Sequence, residues 1–155
     1  MDDFATAAAS LDDLESLDVD ALKVMFRVEL AGEEFYERLA AAVPDEEAKT
    51  LLRRNGREER GHAERIRRML GHKLGHDWEP DESERAPLAV NLPEPFPLEL
   101  LPAIVQGELN GDAGYQRWAE NEPDPEVQRL LRLNGREETI HGRRVEEVLA
   151  ILGQR

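Results

Sequence analysis

The 155-residue sequence contains no cysteine. A chain without cysteine forms no disulfide bonds, has no thiol nucleophile, and holds no zinc or iron through thiolates. Any metal ion bound by this chain must therefore be held by histidine and carboxylate side chains.

An excess of basic residues is also missing. The sequence has 20 Lys and Arg residues against 34 Asp and Glu residues, which gives a net charge of −14. Nucleic-acid binding depends on a basic surface that neutralises phosphates, and glutamates interrupt the basic clusters of this chain. The sequence therefore predicts no nucleic-acid partner.

Long apolar runs are absent as well. The chain never reaches the roughly 18 consecutive apolar residues of a membrane span, and its start, MDDFATAAASLDDLESLD, lacks the basic segment of a signal peptide. We therefore expect a soluble, cytoplasmic protein with no membrane partner. The length predicts one domain, at 18–155, preceded by an N-terminal lead, 1–17, that we expect to be partly disordered.

The chain carries an internal duplication at an offset of 79 residues. Residues 29–70 and 108–149 are identical at 20 of 42 positions without a gap. The pentapeptide NGREE occurs once in each copy, and a histidine follows three residues later in both. A repeated structural unit explains such self-similarity, so each copy is expected to fold in the same way.

Each copy predicts two helices joined by a tight turn. Apolar residues recur at steps of three and four, the spacing of one helix face, and Pro44-Asp45 or Pro123-Asp124 interrupts the pattern. The hairpins are predicted at about 19–73 and 98–152, with a crossover loop at about 74–97 that is rich in proline and charge. The fold class is therefore an all-α antiparallel four-helix bundle built from two duplicated helical hairpins and one long connection.

Four glutamates lie within the apolar stripes, where carboxylates are rare unless they are paired or bind metal. Each lies 15 residues from the proline of its own turn, so antiparallel helices rising about 1.5 Å per residue bring all four to one layer. These residues are Glu29, Glu59, Glu108 and Glu138.

Two histidines complete a metal-binding pattern. His62 follows Glu59 by three residues, and His141 follows Glu138 by three, so each pair shares a helix face and converges on one ion. Four carboxylates and two imidazoles supply enough ligands for two bridged metal ions. Two divalent cations also neutralise four buried carboxylates that would otherwise repel one another.

This pattern resembles the ferritin-like di-iron carboxylate superfamily, and most of all its rubrerythrin-like branch. The residues that carry the resemblance are the two Glu-x-x-His motifs and the glutamates that precede them, each with a tyrosine seven residues later. The resemblance implies a ferritin-like bundle that holds two Fe ions per chain. Mn is an alternative because it uses the same oxygen and nitrogen ligands. No haem is expected, because the helix stripes offer no Met at the place where the similar bacterioferritins bind haem. It assigns bridging roles to Glu59 and Glu138, terminal roles to Glu29 and Glu108, and one ion each to His62 and His141.

The resemblance also implies roles for residues beside the metals. Tyr36 and Tyr115 are expected to act as hydrogen-bond partners or one-electron donors, and ordinary core tyrosines are the alternative. The sequence departs from the resemblance at Gly111, where peroxidase-type rubrerythrins carry an additional carboxylate. Gly32 and Gly111 are expected instead to open space next to the metals for oxygen or peroxide. At the next position of each copy, Glu33 and Asp112 are candidates for an extra ligand or a proton relay.

Residues next to the motifs receive simpler interpretations. Asn55 and Asn134 either orient the metal ligands or only interrupt an apolar stripe, and Glu58 and Glu137 are expected to point away from the metals. Six arginines are expected mostly on a solvated face, namely Arg53, Arg57 and Arg65 with their repeats Arg132, Arg136 and Arg144.

The function implied is that of a di-iron oxidoreductase, a peroxide reductase or ferroxidase that reacts with hydrogen peroxide or oxygen. Related rubrerythrins carry a four-cysteine rubredoxin domain that delivers electrons, which this cysteine-free chain lacks, so an external electron donor is expected. An iron-storage protein of ferritin type and a di-iron hydroxylase of an organic substrate are the alternatives. The high charge fraction argues against the apolar channel that the hydroxylase needs. A homodimer or higher homo-oligomer is expected.

Overall fold

Aspartates set the starts of the three longest helices. The Asp18 carboxylate accepts a hydrogen bond from the Ala21 amide at 2.8 Å, Asp45 accepts one from Ala48 at 3.0 Å, and Asp124 caps the third helix in the same way. These caps satisfy amides that have no partner within the helix. In the computed structural model, which describes residues 2–154, the helices are α1 (Phe4–Ala9), α2 (Val19–Ala42), α3 (Glu46–Leu74), α4 (Leu101–Glu120) and α5 (Pro125–Gly153).

The two long hairpins are α2 with α3 and α4 with α5, and α3 packs against α5. Their apolar side chains form two clusters, one at each end of the bundle. The turn between α2 and α3 lies in one cluster and the turn between α4 and α5 lies in the other. The hairpins therefore point in opposite directions, and the chain is an all-α, ferritin-like bundle.

The connection between the hairpins travels the height of the bundle. α3 ends at Gly75, whose φ of 77° is favoured by glycine because a side chain would be strained there. The connection is anchored at one end by Trp78, which packs edge-on against Phe26 at 5.1 Å between ring centroids. At the other end, Phe96 lies in the second apolar cluster. This length of chain brings α4 back antiparallel to α2.

The N-terminal lead differs from our expectation of partial disorder. Residues Phe4–Ala9 form α1, and Ala7, Leu11 and Leu17 are buried. Backbone hydrogen bonds also join the lead to the crossover loop, at 2.9 Å from the Phe4 amide to the Ala89 carbonyl. The sequence does not predict α1, because the apolar residues of a six-residue helix are too few to show a helical period.

Within residues 2–154, no helix is both long enough and apolar enough to span a membrane.

Candidate metal centre

The structure brings the six predicted ligands together in the middle of the bundle. Each of the four long helices contributes one glutamate, and the two helices that carry NGREE also contribute a histidine. All six residues are at most 9% exposed. They are Glu29 on α2, Glu59 and His62 on α3, Glu108 on α4, and Glu138 and His141 on α5.

The six residues form two overlapping groups of four. In each group, every residue offers one oxygen or nitrogen atom, and these atoms all lie within 4.8 Å of one another. Glu59 and Glu138 belong to both groups. Glu29 and His62 complete the first group, and Glu108 and His141 complete the second.

Both imidazoles direct Nδ1 toward the carboxylates. Nδ1 of His62 lies 3.0 Å from Glu138 Oε1 and 3.4 Å from both Glu29 Oε2 and Glu59 Oε2. Nδ1 of His141 lies 3.1 Å from Glu59 Oε1. The two rings stack at 5.2 Å between centroids. A neutral imidazole binds metal through such an unprotonated nitrogen, so the geometry suits one histidine for each group.

Unpaired polar atoms support a metal at this place. Among the described residues, Glu108 Oε2 is buried without a hydrogen-bond partner, and His62 Nδ1 and Glu138 Oε1, although 3.0 Å apart, are not aligned for a hydrogen bond. Burying such atoms alone costs free energy, and a bound cation compensates it. Oxygen and imidazole ligands suit Fe and Mn. The donor set therefore fits a di-iron site.

Without a cation, this cluster of carboxylates favours protons. Burial first, and then the charge of a neighbouring cluster carboxylate, raises the pKa of Glu59, Glu108 and Glu138 well above the usual range. For Glu29, hydrogen bonds with Glu59 and His62 outweigh burial and lower its pKa to about 2. Metal ions must displace the protons of Glu59, Glu108 and Glu138, so the affinity for metal should rise with pH.

Glu58 and Glu137 do not point away from the site, which corrects the sequence prediction. Glu137 Oε1 lies 3.0 Å from Nε2 of His62, and Glu58 Oε1 lies 3.2 Å from Nε2 of His141. Each glutamate thus reaches the histidine of the other hairpin. A carboxylate at Nε2 keeps the proton of a neutral imidazole on that nitrogen, which leaves Nδ1 free for a metal ion. Without a metal, the hydrogen bond to Glu137 and the nearby carboxylate of Glu138 outweigh burial and raise the pKa of His62, so a metal ion must also displace a proton from this ring.

Arg65 and Arg144 are likewise not simply part of a solvated face. Arg65 donates to both oxygens of Glu137 at 2.8 and 3.0 Å, and Arg144, which is 9% exposed, donates to Glu58 at 2.7 Å. The hydrogen bond with His62 and the Arg65 guanidinium lower the pKa of Glu137 to about 2. Each arginine therefore keeps its glutamate ionised beside the histidine.

Asn55 and Asn134 join the same network. Asn55 donates to the His141 carbonyl at 3.1 Å, and Arg144 donates to the Asn55 side-chain oxygen at 3.0 Å. Asn134 donates to the His62 carbonyl at 3.3 Å. Of the two interpretations left open by the sequence, the contacts favour the one in which these residues orient the ligands.

The two tyrosines contact the terminal carboxylates across the hairpins. The Tyr36 hydroxyl donates to Glu108 Oε1 at 2.5 Å, and the Tyr115 hydroxyl donates to Glu29 Oε1 at 2.6 Å. Burial, followed by the charge of the bonded glutamate, raises the pKa of both tyrosines well above the usual value. Each phenol therefore keeps its proton within hydrogen-bonding distance of a predicted ligand.

Gly32 and Gly111 allow the shared carboxylates to approach α2 and α4 closely, and both glycines also line open space beside these carboxylates. A Cβ atom at Gly32 would lie 2.8 Å from Glu59 Cγ, and one at Gly111 would lie 2.9 Å from Glu138 Oε2. These glycines let the shared glutamates lie against α2 and α4.

Glu33 and Asp112 have partners outside the ligand cluster. Arg60 pairs with Glu33 at 2.8 Å, and Thr139 donates to Asp112 at 2.5 Å. Neither acid belongs to the two groups of four.

Replacing Glu137 by glutamine should weaken one of two metal-binding steps by about 10- to 100-fold, because an uncharged amide orients His62 less well. Glu58→Gln should weaken the other step. Competitive titration with Mn²⁺ measures both steps, and Glu34→Gln, at an exposed glutamate paired with Arg38, is the control. If both test variants bind Mn²⁺ with the same two affinities as wild type, Glu137 and Glu58 do not orient the histidines for metal binding.

Comparison with known proteins agrees with this geometry. The family model for Rubrerythrin matches residues 20–149, which include all six clustered residues and most of the chain. No curated protein and no solved structure matches the chain significantly.

Proposed function

Because the chain belongs to the rubrerythrin family, we propose that it is a di-iron oxidoreductase, a peroxide reductase or ferroxidase, that reacts with hydrogen peroxide or oxygen. The observation that carries this proposal is the pair of four-residue groups that share Glu59 and Glu138. Two sites with common carboxylates suit two ions that act together on one oxidant.

The ligand roles follow from the two groups. Glu59 and Glu138 would contact both ions, and each histidine would hold one ion through Nδ1. Glu29 and Glu108 would each complete one group. Two bound iron ions would supply the two electrons that convert one H₂O₂ and two protons into two water molecules.

Protein groups around the ligands would position them and hold protons. Tyr36 and Tyr115 fix the terminal carboxylates, and their hydroxyl protons lie at Glu108 Oε1 and Glu29 Oε1. Hydrogen-bond donors of this kind hold metal-binding carboxylates in position, and their loss lowers metal affinity or activity. We propose that a separate donor returns the electrons, because these 155 residues contain no cysteine that could hold a rubredoxin-type iron.

Iron-loaded protein should consume peroxide faster than the same concentration of free iron. Continued consumption with a chemical donor indicates a reductase, whereas a single turnover indicates a ferroxidase. The double variant Tyr36→Phe and Tyr115→Phe should keep its iron but react about 10- to 100-fold more slowly, because Glu108 and Glu29 lose the hydrogen bonds that position them. Peroxide absorbance and metal analysis measure both effects. A wild-type rate equal to that of free iron would exclude the redox proposal.

Particle mass tests the assembly. We propose a homodimer or higher homo-oligomer with two iron ions per chain. A cage that retains far more iron than this would favour the iron-storage alternative instead. Light scattering combined with iron analysis separates the two outcomes.

A further inference from the structure

A cavity of about 630 Å³ lies between α2 and α4, beside the metal centre. Among the described residues, these two helices hardly approach each other, in contrast to the tightly packed hairpin pairs. Gly107, Gly111 and Gly114 lie along its α4 wall, and all four cluster glutamates also line it. The space is therefore continuous with the proposed reaction site.

The remaining walls of the cavity are mostly apolar. Met25, Val28 and Phe35 come from α2, and Ile104 and Trp118 come from α4. Apart from the cluster glutamates, the charged side chains that line the cavity are Asp12 and Arg117, one of each sign. Contact between apolar walls and water is unfavourable. An apolar molecule that covers them is stabilised by about 25 cal/mol per Å² of apolar surface removed from water.

The N-terminal segment closes one side of the cavity. Phe4, Ala8 and Leu11 line it, and the Phe4 ring packs against Phe35 at 5.5 Å between centroids. At the far end of the segment, Trp118 Nε1 donates to the Leu14 carbonyl at 2.9 Å. A helix from a second copy of the chain would have to displace this anchored segment, whereas a small molecule would not.

The size of the cavity decides what class of molecule it suits. A water molecule occupies about 30 Å³, and peroxide, with two oxygen atoms, needs roughly twice that space. Sites for organic ligands span about 300–1,000 Å³ and combine apolar walls with a few polar groups. The cavity is therefore some tenfold too large for peroxide and lies within the range for organic ligands.

We propose that the cavity between α2 and α4 binds an uncharged, largely apolar organic molecule that reaches the carboxylate cluster. Two divalent ions would balance the charge of four ionised glutamates, so an uncharged ligand meets no net charge at that end. This site goes beyond the redox function, since peroxide and oxygen do not require it.

The neutral probe N-phenyl-1-naphthylamine tests this site by fluorescence titration of the Mn²⁺-loaded full chain. Wild-type protein should bind about one probe molecule per chain in a saturable manner. Gly107→Leu should weaken binding at least tenfold, because Gly107 lines the cavity and has open space where a side chain would lie. Ala103→Phe, on the same wall at an exposed position, should weaken binding as well.

Gly61→Leu is the matched control for this experiment. Gly61 lies within a helix, has no atom within 4 Å of a built Cβ, and is exposed on α3 away from the cavity. Its affinity for the probe should equal that of wild type. Absence of saturable binding, or equal affinity in Gly107→Leu, would overturn the proposal. So would a wild-type dimer that Gly107→Leu converts to a monomer, since a second copy would then occupy the cavity.

The outcome is independent of the redox test. Probe binding is measured without peroxide, so its failure leaves the peroxide proposal unchanged. Likewise, protein that binds the probe but does not consume peroxide would retain the cavity site and lose the redox function.

Discussion

Replacing Glu59 and Glu138 together by glutamine is expected to abolish binding of both metal ions. Each of these residues offers a ligand atom to both groups of four, so the double change leaves only Glu29 with His62 and Glu108 with His141. Neutral amides are poor replacements for bridging carboxylates, and they no longer balance the charge of the cations. Metal analysis after equilibrium dialysis against Fe²⁺ or Mn²⁺ measures the loss.

A matched control separates ligand loss from a general change of charge. Glu64 and Glu146 lie on the same two helices, α3 and α5, and both are exposed. Glu64→Gln with Glu146→Gln changes the net charge by the same amount and should leave metal content at the wild-type level. Equal metal content in the two double variants would refute the assignment of the ligands.

The same double variant should be more stable than wild type when both are metal-free at neutral pH. The change removes two carboxylates whose pKa burial and neighbouring carboxylate charge raise well above the usual range. Thermal unfolding followed by circular dichroism shows whether the variant folds. A stable helical variant without metal isolates the ligand effect, whereas an unfolded one would contradict the predicted gain in stability.

Removal of metal is expected to make the stability of the protein fall as pH rises. In the metal-free fold, Glu59, Glu108 and Glu138 have raised pKa values, whereas unfolded glutamates titrate near 4.3. Above that pH the folded state holds more protons than the unfolded state, so the free energy of unfolding decreases with pH. Each glutamate that stays protonated in the folded state but is ionised in the unfolded state lowers the free energy of unfolding by about 1.4 kcal/mol per pH unit. This corresponds to a decrease of roughly 3–6 °C in Tm.

The opposite trend is expected in acid. Glu29 and Glu137, each with a pKa of about 2, stabilise the fold when they are ionised. That stability is present above the pKa of about 4.3 in the unfolded chain and is lost as pH falls toward 2. The metal-free protein should therefore be most stable near pH 4–5.

Bound metal should remove the decrease in the stability of the protein at higher pH. A metal ion at 1,000 times its Kd adds about 4.1 kcal/mol of stability per site, which corresponds to roughly 8–16 °C in Tm. Thermal unfolding between pH 3 and 8, with chelator and with Mn²⁺, measures both effects. A metal-free Tm that rises from pH 5 to 8 would contradict the proposed burial of competing carboxylates.

The six clustered residues could be identified in the sequence because the duplication repeats their spacing. A single Glu-x-x-His motif arises easily in charged helices, but Glu29 and Glu108 precede the two motifs at the same 30-residue interval. The apolar stripes place these residues inside the helices, and the proline turns place them at one height. The helical periodicity and the positions of the turns are therefore sufficient to predict that these residues cluster.

The network around the histidines could not be identified in this way. Glu58 and Glu137 contact histidines of the opposite hairpin, so they reach the site only because α3 packs against α5. Arg65 and Arg144 are drawn inward by those glutamates. Helical periodicity describes one helix at a time, so contacts between helices of different hairpins leave no local pattern.

The class of fold, the two hairpins and the residue types able to hold a metal can be inferred from the sequence. These features depend on interactions between residues three or four apart and on turns, which are local in the chain. Three other features are seen only in the folded chain: the N-terminal segment is folded, each hairpin orients the histidine of the other, and an apolar cavity separates α2 from α4. Those features depend on how distant segments pack, and the free energy of packing belongs to pairs of surfaces rather than to any one stretch of sequence.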